Sequence, residues 1–252
     1  MKPSYIYGSI TVSLFLLFYF YLTTSGRINP LFLPSFGQIG AAWAEILENG
    51  NYLEDLFASL RRVFIGYFLG CGLAIIIGSL MGWFKRVDWS LNPFVQIVRP
   101  IPALAYVPLT ILWFGIGEVS KLFVITLGAF VTCIINVIAG VKNTPLIYID
   151  AAKTLGANDT QLFFHVGLPA ALPYILTGLR VALATAWGVL VAAELIAAQK
   201  GLGFMLIMAR RFVRTDLLFV GLITIGLLAF IMDTIIHKIE KHFTRWMEVK
   251  KN

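Results

Sequence analysis

Between two apolar runs the chain reads DAAKTLGANDTQLFFHVGLP, from Asp150 to Pro169, and there it gathers Asp150, Lys153, Asp159, an Asn, a Gln and a His. Asp150 opens a helix-compatible run, where a carboxylate suits the positive end of the helix dipole. Ala151, Ala152 and Leu155 fall on adjoining turns and are expected to pack against apolar neighbours. Gly156 would cost about 1 kcal/mol inside a helix relative to Ala, so it marks a turn. Asn158 or Asp159 is a suitable N-cap for a second helix, with Gln161 near its first turn. Leu162, Phe163 and Val166 make an apolar stripe, and Pro169 is expected to stop the helix. The chemistry on offer is recognition: a helix–turn–helix elbow, rigid enough to be a handle for a soluble partner.

Other residues with chemical potential lie inside oily surroundings. Glu194 closes the run WGVLVAAELIAA, and a buried carboxylate needs a partner. One reading puts it in a gate or translocation path; the other pairs it with an arginine at the membrane's outer side. Thr132 and Asn136 share a four-residue spacing with Gly128 and Gly140. Asn136 within a span either lines a path or bonds a neighbouring helix. Arg180 is expected to snorkel to an interface. Lys200, Arg210, Arg211 and Arg214 form a basic cluster that could concentrate an anionic solute or grip an acidic patch. His165, His237 and His242 are scattered and the two cysteines, Cys71 and Cys133, lie in apolar runs, so no metal or disulfide framework is expected. Phosphate-cradling Gly-rich loops, a Gly-x-Ser-x-Gly elbow and His-Glu-x-x-His are all absent from the sequence, which argues against an enzyme.

The elements that must hold these residues belong to a bilayer. The 252 residues are 59% hydrophobic and 13% charged, with mean hydropathy +0.84, against about 45–50% apolar and about 25% charged in soluble domains. Runs long enough to span are expected near 4–22, 58–84, 92–114, 119–140, 172–196 and 216–236, giving an all-α integral membrane fold of about six transmembrane helices. The first is read as an uncleaved span, because TTSGRINP offers no clean small-x-small cleavage site. Gly66, Gly70, Ala74, Gly78 and Gly82 form a small-residue stripe for close helix approach. Pro93, Pro100, Pro102 and Pro108 punctuate the third run, which is either a broken helix within the membrane or a span preceded by an interfacial bend near Arg99. A cytoplasmic N-terminus puts the elbow and the basic tail inside, with ten Lys/Arg there against eight outside, the last including Arg62 and Lys121.

Asp150-Ala151-Ala152, three residues, Gly156, nine residues, Val166-x-Leu168-Pro169 resembles the EAA signature of the permease subunits of bacterial ABC importers. That signature has Glu for Asp150 and Ile for Val166. RPIPALAYVPLTILWFGIGE (99–118), GLRVALATAWGVLVAAELIA (178–197) and KGLGFM (200–205) are similar to the nitrate/sulfonate/taurine branch of these permeases. The resemblance covers nearly all of the chain from about Leu53, so 1–52 is read as a first helix with an extracytoplasmic segment and 53–252 as the permease core. It implies a multi-pass protein of the cytoplasmic (inner) membrane, working as a homodimer with two ABC ATPase subunits and an extracytoplasmic binding protein. Asp150, Ala151, Ala152, Gly156, Leu168 and Pro169 would then couple to the ATPase, which would carry ATP and Mg; this chain would bind no cofactor and no nucleic acid. ATP-driven closure of the ATPases would move the elbow and switch the path from inward to outward access. Taurine or an aliphatic sulfonate leads as solute, with nitrate, bicarbonate or a vitamin precursor as rivals. From another class stands an ion-driven secondary transporter, which would call for internal repeats that the sequence lacks.

Overall fold

In a computed structural model the protein is described over residues 3–48 and 51–244, and these are helical and connecting segments without strands. Lys2, Arg245, Lys250 and Lys251, counted above among the inner basic residues, lie outside the described residues. The helices are α1 (Pro3–Thr24), α2 (Phe36–Glu48), α3 (Asn51–Trp83), α4 (Lys85–Val98), α5 (Val107–Phe114), α6 (Glu118–Lys142), α7 (Leu146–Thr154), α8 (Asp159–Leu162), α9 (Leu168–Ala197), α10 (Leu202–Arg211) and α11 (Thr215–Phe243). Five helical stretches are long and apolar enough to cross a bilayer, and α4 with α5 makes a sixth crossing if the bent pair counts as one.

The core is three helices deep, with α6 between α3 and α9, and glycines set both contacts. Gly66, Gly70, Gly78 and Gly82 of α3 face Ile125, Ala129, Val137 and Val141 of α6, a constant offset that makes the two helices parallel. A Cβ would meet Ile125 at 2.6 Å from Gly66 and Val141 at 2.6 Å from Gly82, so only hydrogen lets these backbones come together. The α3 stripe is thus an intramolecular packing surface. On α6 the opposite stripe meets α9 running the other way: a Cβ at Gly128 would lie 3.1 Å from Val189, and one at Gly140 would lie 2.5 Å from Tyr174. Asn136 sits under Gly178 of α9, where a Cβ would come within 2.8 Å.

Because α3 and α6 point the same way, the chain between them must return across the bundle. It does so as a broken element: α4, a 3-10 turn (Ala103–Tyr106) and α5, bent by 83°. The Pro-punctuated run expected over 92–114, read as either a broken helix or a span preceded by a bend, is this bent pair. Pro100 and Pro102 supply no N–H, so although Arg99 itself keeps helical dihedrals as the C-cap, the hydrogen-bond ladder of α4 does not continue past it. Gly115, at φ +75°, then ends α5.

Ion pairs sort the connections onto two faces. Lys142 and Asp88, 2.5 Å apart, tie the end of α6 to the start of α4 on the elbow side. Lys200–Glu54 at 2.6 Å and Arg214–Glu45 at 2.7 Å tie the segments of the opposite side, as the expected topology requires. Arg62 and Lys121, counted to the outer side, are buried at 5% and 4% exposure and contribute no surface charge.

Candidate functional site

The elbow begins earlier than its polar residues suggest. The apolar Leu146-Ile147-Tyr148 already belongs to α7, so Asp150 lies in mid-helix and not at the positive end of a dipole. Gly156 takes φ +86°, the left-handed conformation that closes a helix and favours glycine, and nothing lies within 4 Å of where its Cβ would be. Asn158 then opens α8 with a reciprocal capping box: its side chain accepts from Gln161 N–H at 2.9 Å, and Gln161 Oε1 accepts from Asn158 N–H at 2.9 Å. A π-helical turn (Phe163–Gly167) leads directly into α9. Pro169 therefore starts a helix and does not stop one; in the first turn its missing N–H costs no hydrogen bond.

Two faces of the elbow have opposite characters. Leu162 and Phe163 are buried, and the Phe163 ring lies 5.8 Å from both Trp83 and Phe84 at the end of α3. Gly167 presses on the Trp83 ring, where a Cβ would come within 2.5 Å. This aromatic joint makes the elbow continuous with the transmembrane core. On the other face Leu146, Ile147 and Leu155 are 73%, 72% and 88% exposed, and Ala151 is exposed beside them, with Ala152 half-buried. The expectation that Leu155 packs inward is overturned by its exposure. Contiguous exposed apolar side chains on a polar-rimmed element mark an interaction surface.

Across the bundle, Glu194 has found its partner. It is 1% exposed and accepts from Ser59 Oγ at 2.8 and 2.9 Å, Arg62 Nη1 at 2.6 Å and Gly203 N–H at 2.8 Å. Arg62 also reaches the Lys200 carbonyl at 2.6 Å and clamps Glu118 through Nε and Nη2, both at 2.7 Å, while Lys121 bonds the same carboxylate at 2.7 Å. The glycines of KGLGFM are explained here. Gly201, at φ +132°, and Gly203 lie against Glu194, where Cβ atoms would come within 2.5 and 2.7 Å. Their loop is laced down by Asp55 accepting from Gly201 N–H at 2.7 Å and Ser59 accepting from Leu202 N–H at 2.8 Å. Of the two readings of Glu194, the geometry gives it the arginine partner, Arg62.

Thr132, Asn136 and Glu194 are not gathered into one site. Thr132 lines a cavity of about 200 Å³ beside the bend in the broken span, where its Oγ1 stands 3.3 Å from Thr185 Oγ1. Asn136 bonds back to the Thr132 carbonyl at 3.1 Å in the α6–α9 contact. The basic cluster is divided too. Glu45 holds the Arg214 guanidinium above its ordinary pKa, and Glu54 does the same for the Lys200 ammonium. Only Arg210 and Arg211 of the four are exposed without an ion pair among the described residues. Arg180 bonds Asp233 at 3.0 Å and Glu240 at 3.1 Å on α11 instead of snorkelling alone.

Sequence reading missed Ser59, Arg62, Asp55 and Glu118 as the setting of Glu194. One signal was available: two arginines and two acids near the outer end of α3, in a run that must enter the membrane. Among the described residues no group of three or more His, Cys, Asp or Glu is placed to hold a metal ion.

Comparison with known proteins places this geometry. Residues 70–245 match the family model described as binding-protein-dependent transport system inner membrane component. The taurine transport system permease protein TauC of Escherichia coli K12 is 38% identical over 241 residues, 94% of this chain and 88% of that protein. The aliphatic sulfonates transport permease protein SsuC of Bacillus subtilis, itself a putative assignment, is 37% identical over 221 residues, 88% and 80% of the two chains. The nitrate import permease protein NrtB of Synechocystis is 33% identical over 186 residues, 74% and 68%. The fold is that of a chain in the inward-facing MetNI methionine ABC transporter, with TM-score 0.67 at 21% identity over 77% of this chain and 96% of that one. With its all-helical core and its five or six spans, the chain belongs to the family of binding-protein-dependent transport system inner membrane components and is a multi-pass ABC transporter permease of the inner membrane.

Proposed function

We propose that the chain forms the translocation path of an ATP-driven importer for a small anionic or zwitterionic solute, taurine or an aliphatic sulfonate, and couples to separate ATPase subunits through the elbow. The likeness to the taurine permease across nearly the whole chain carries the solute reading. The exposed apolar face of α7 supports the coupling reading, since it offers Ile147 and Leu155 to a soluble partner while the aromatic joint at Trp83 carries motion to α3 and α9. ATP and Mg belong to the partner ATPase, and a binding protein delivers solute on the opposite face. A second copy of this chain supplies the other half of the path, giving each of two ATPases one elbow.

The test uses the permease with its ATPase and binding protein in liposomes, recording ATP hydrolysis against taurine, alkanesulfonates, nitrate and bicarbonate. Taurine or an alkanesulfonate is expected to stimulate hydrolysis. Gly156→Val is expected to abolish the stimulation, because a branched residue is strained by 1–3 kcal/mol at positive φ, on the order of the cost of such conformations, and adds bulk on the docking face. Gly156→Asn, which tolerates that conformation, isolates the effect of bulk. Stimulation by nitrate alone would overturn the sulfonate assignment, and solute transport without any ATPase would favour a secondary transporter.

A further inference from the structure

From the cavity at the bend of the broken span, we infer that Arg99 is the anion-recognising residue of the translocation path, binding the oxyanion headgroup of the transported solute with the hydroxyls of Thr132 and Thr185. The inference rests on the importer reading above and names the chemistry of its path.

Depth is the first argument. The cavity is lined by Arg99, Pro102, Tyr106, Gly128, Thr132 and Thr185, among others. Thr132 is about 21 Å along α6 from Glu118 and about 15 Å from Lys142 at 1.5 Å per residue, which puts it near mid-membrane. Thr185 is likewise about 18 Å from the Ala197 end of α9. Arg99 is held at this level because the Pro100 and Pro102 break turns the chain there.

Charge is the second. The other cations of the core helices are neutralised, Arg62 by Glu118 and Glu194, Lys121 by Glu118, Lys142 by Asp88 and Arg180 by Asp233 and Glu240, except Arg61, which is exposed beside Arg62 near the outer end of α3. Arg99 is exposed at the cavity, and its guanidinium makes no hydrogen bond or ion pair among the described residues. No Asp or Glu lines the cavity. An unpaired cation at membrane depth is costly unless it serves a substrate or ion pathway.

Chemistry is the third. The guanidinium presents a planar fork of N–H donors that matches two oxygens of a sulfonate or nitrate. The Thr132 hydroxyl donates to the Gly128 carbonyl at 2.9 Å, and that of Thr185 to Val181 at 3.2 Å; each can rotate toward a third oxygen. About 200 Å³ admits a solute of a few heavy atoms, and the Pro, Ala, Val and Ile walls leave any organic part without a specific contact. With no carboxylate present, the cavity selects for negative charge and gives the ammonium of a zwitterion no ionic partner. One headgroup class therefore fits taurine, alkanesulfonates and nitrate alike, leaving discrimination among them to the binding protein.

The experiment reads the cavity in two ways in the assembled permease–ATPase complex. A Thr185→Cys reporter is treated with an anionic, sulfonate-bearing thiol reagent and a cationic one of the same size; Cys71 and Cys133 are buried and serve as the unreactive background. Arg99→Gln is expected to lower the anionic-to-cationic rate ratio by about tenfold, the size expected of one charge acting on reagents of opposite sign at a few ångströms under near-aqueous screening. Arg99→Lys should retain most of the ratio. A ratio that does not move, or a reporter unreactive in every nucleotide state, would overturn the inference. Uptake of taurine and of nitrate into proteoliposomes should fall at least about tenfold in Arg99→Gln, with co-purification of the ATPase checking that the variant folds and assembles; undiminished uptake also overturns it. Should the wild-type complex neither assemble nor transport, the importer reading fails, and the reagent ratio still decides whether Arg99 makes an anion-selective cavity.

Discussion

Replacing Glu194 with Ala is expected to be among the most destabilising single changes in this chain. The substitution removes the acceptor for three donors, the Ser59 hydroxyl shared between the two carboxylate oxygens, Arg62 Nη1 and Gly203 N–H. Ser59 can turn its hydroxyl elsewhere, and Arg62 keeps its two bonds to Glu118. What is left is a buried backbone N–H at Gly203 without a partner and a guanidinium at 6% side-chain exposure stripped of one of its two carboxylates. Removing one partner of a buried ion pair costs about 3–5 kcal/mol. Because Glu118 remains, the lower end applies, so about 3 kcal/mol is expected, on the order of a hundredfold in the folding equilibrium. Glu194→Gln keeps the shape but puts an N–H₂ where Oε2 accepted from Gly203, and should cost about 2 kcal/mol. The assay is equilibrium unfolding by sodium dodecyl sulfate titration in mixed micelles, with Arg62→Ala and the double variant completing a cycle. The double variant should be less destabilised than the sum of the singles by about 1–3 kcal/mol. Additive effects, or a Glu194→Ala loss under about 1 kcal/mol, would refute the claim that this carboxylate pins α3, α9 and the 198–203 loop together.

Two further outcomes follow from the packing and the surface charges. Gly70→Ala should destabilise by about 1–3 kcal/mol, because its Cβ would meet Ala129 Cβ at 2.9 Å and Phe130 N at 3.0 Å on α6, whereas Gly72→Ala, with nothing within 4 Å, should be neutral or gain up to about 1 kcal/mol in the same titration. Arg214 holds the Glu45 carboxyl below its ordinary 4.5, so the pair stabilises the fold above that value and the stabilisation is lost as pH falls through the lowered folded value. The melting difference between wild type and Glu45→Gln should accordingly be full at neutral pH and vanish in acid; a difference that persists unchanged in acid would contradict the pairing.

What could be read from the chain beforehand divides by range. Membrane class and helix positions come from runs of apolar residues, which are local, and all but one of the expected spans correspond to one long helix. The exception, 92–114, was punctuated by Pro100 and Pro102; a break was visible, but its 83° angle depends on how α5 packs on α6. The elbow's capping box was legible because Asn158 and Gln161 are three residues apart. Its upstream boundary was not: Leu146, Ile147 and Leu155 look like residues to be buried, and their exposure makes sense only against a second polypeptide. Arg62 and Glu194 are separated by 132 positions, so nothing local could pair them. Arg99 was visible as a charge beside Pro-x-Pro, yet its mid-membrane depth emerges only once Thr132 and Thr185 are beside it.

The coupling surface is the point on which the account turns, and Leu155 tests it most directly. At 88% exposure its side chain contributes little to the fold, so Leu155→Asp should leave the yield and the unfolding titration of the permease unchanged. The measurement is the amount of ATPase subunit that co-purifies with the tagged permease, for wild type and for Leu155→Asp. Retention by wild type and loss of most of it in the variant is the expected result; equal retention would contradict docking through the exposed face of α7.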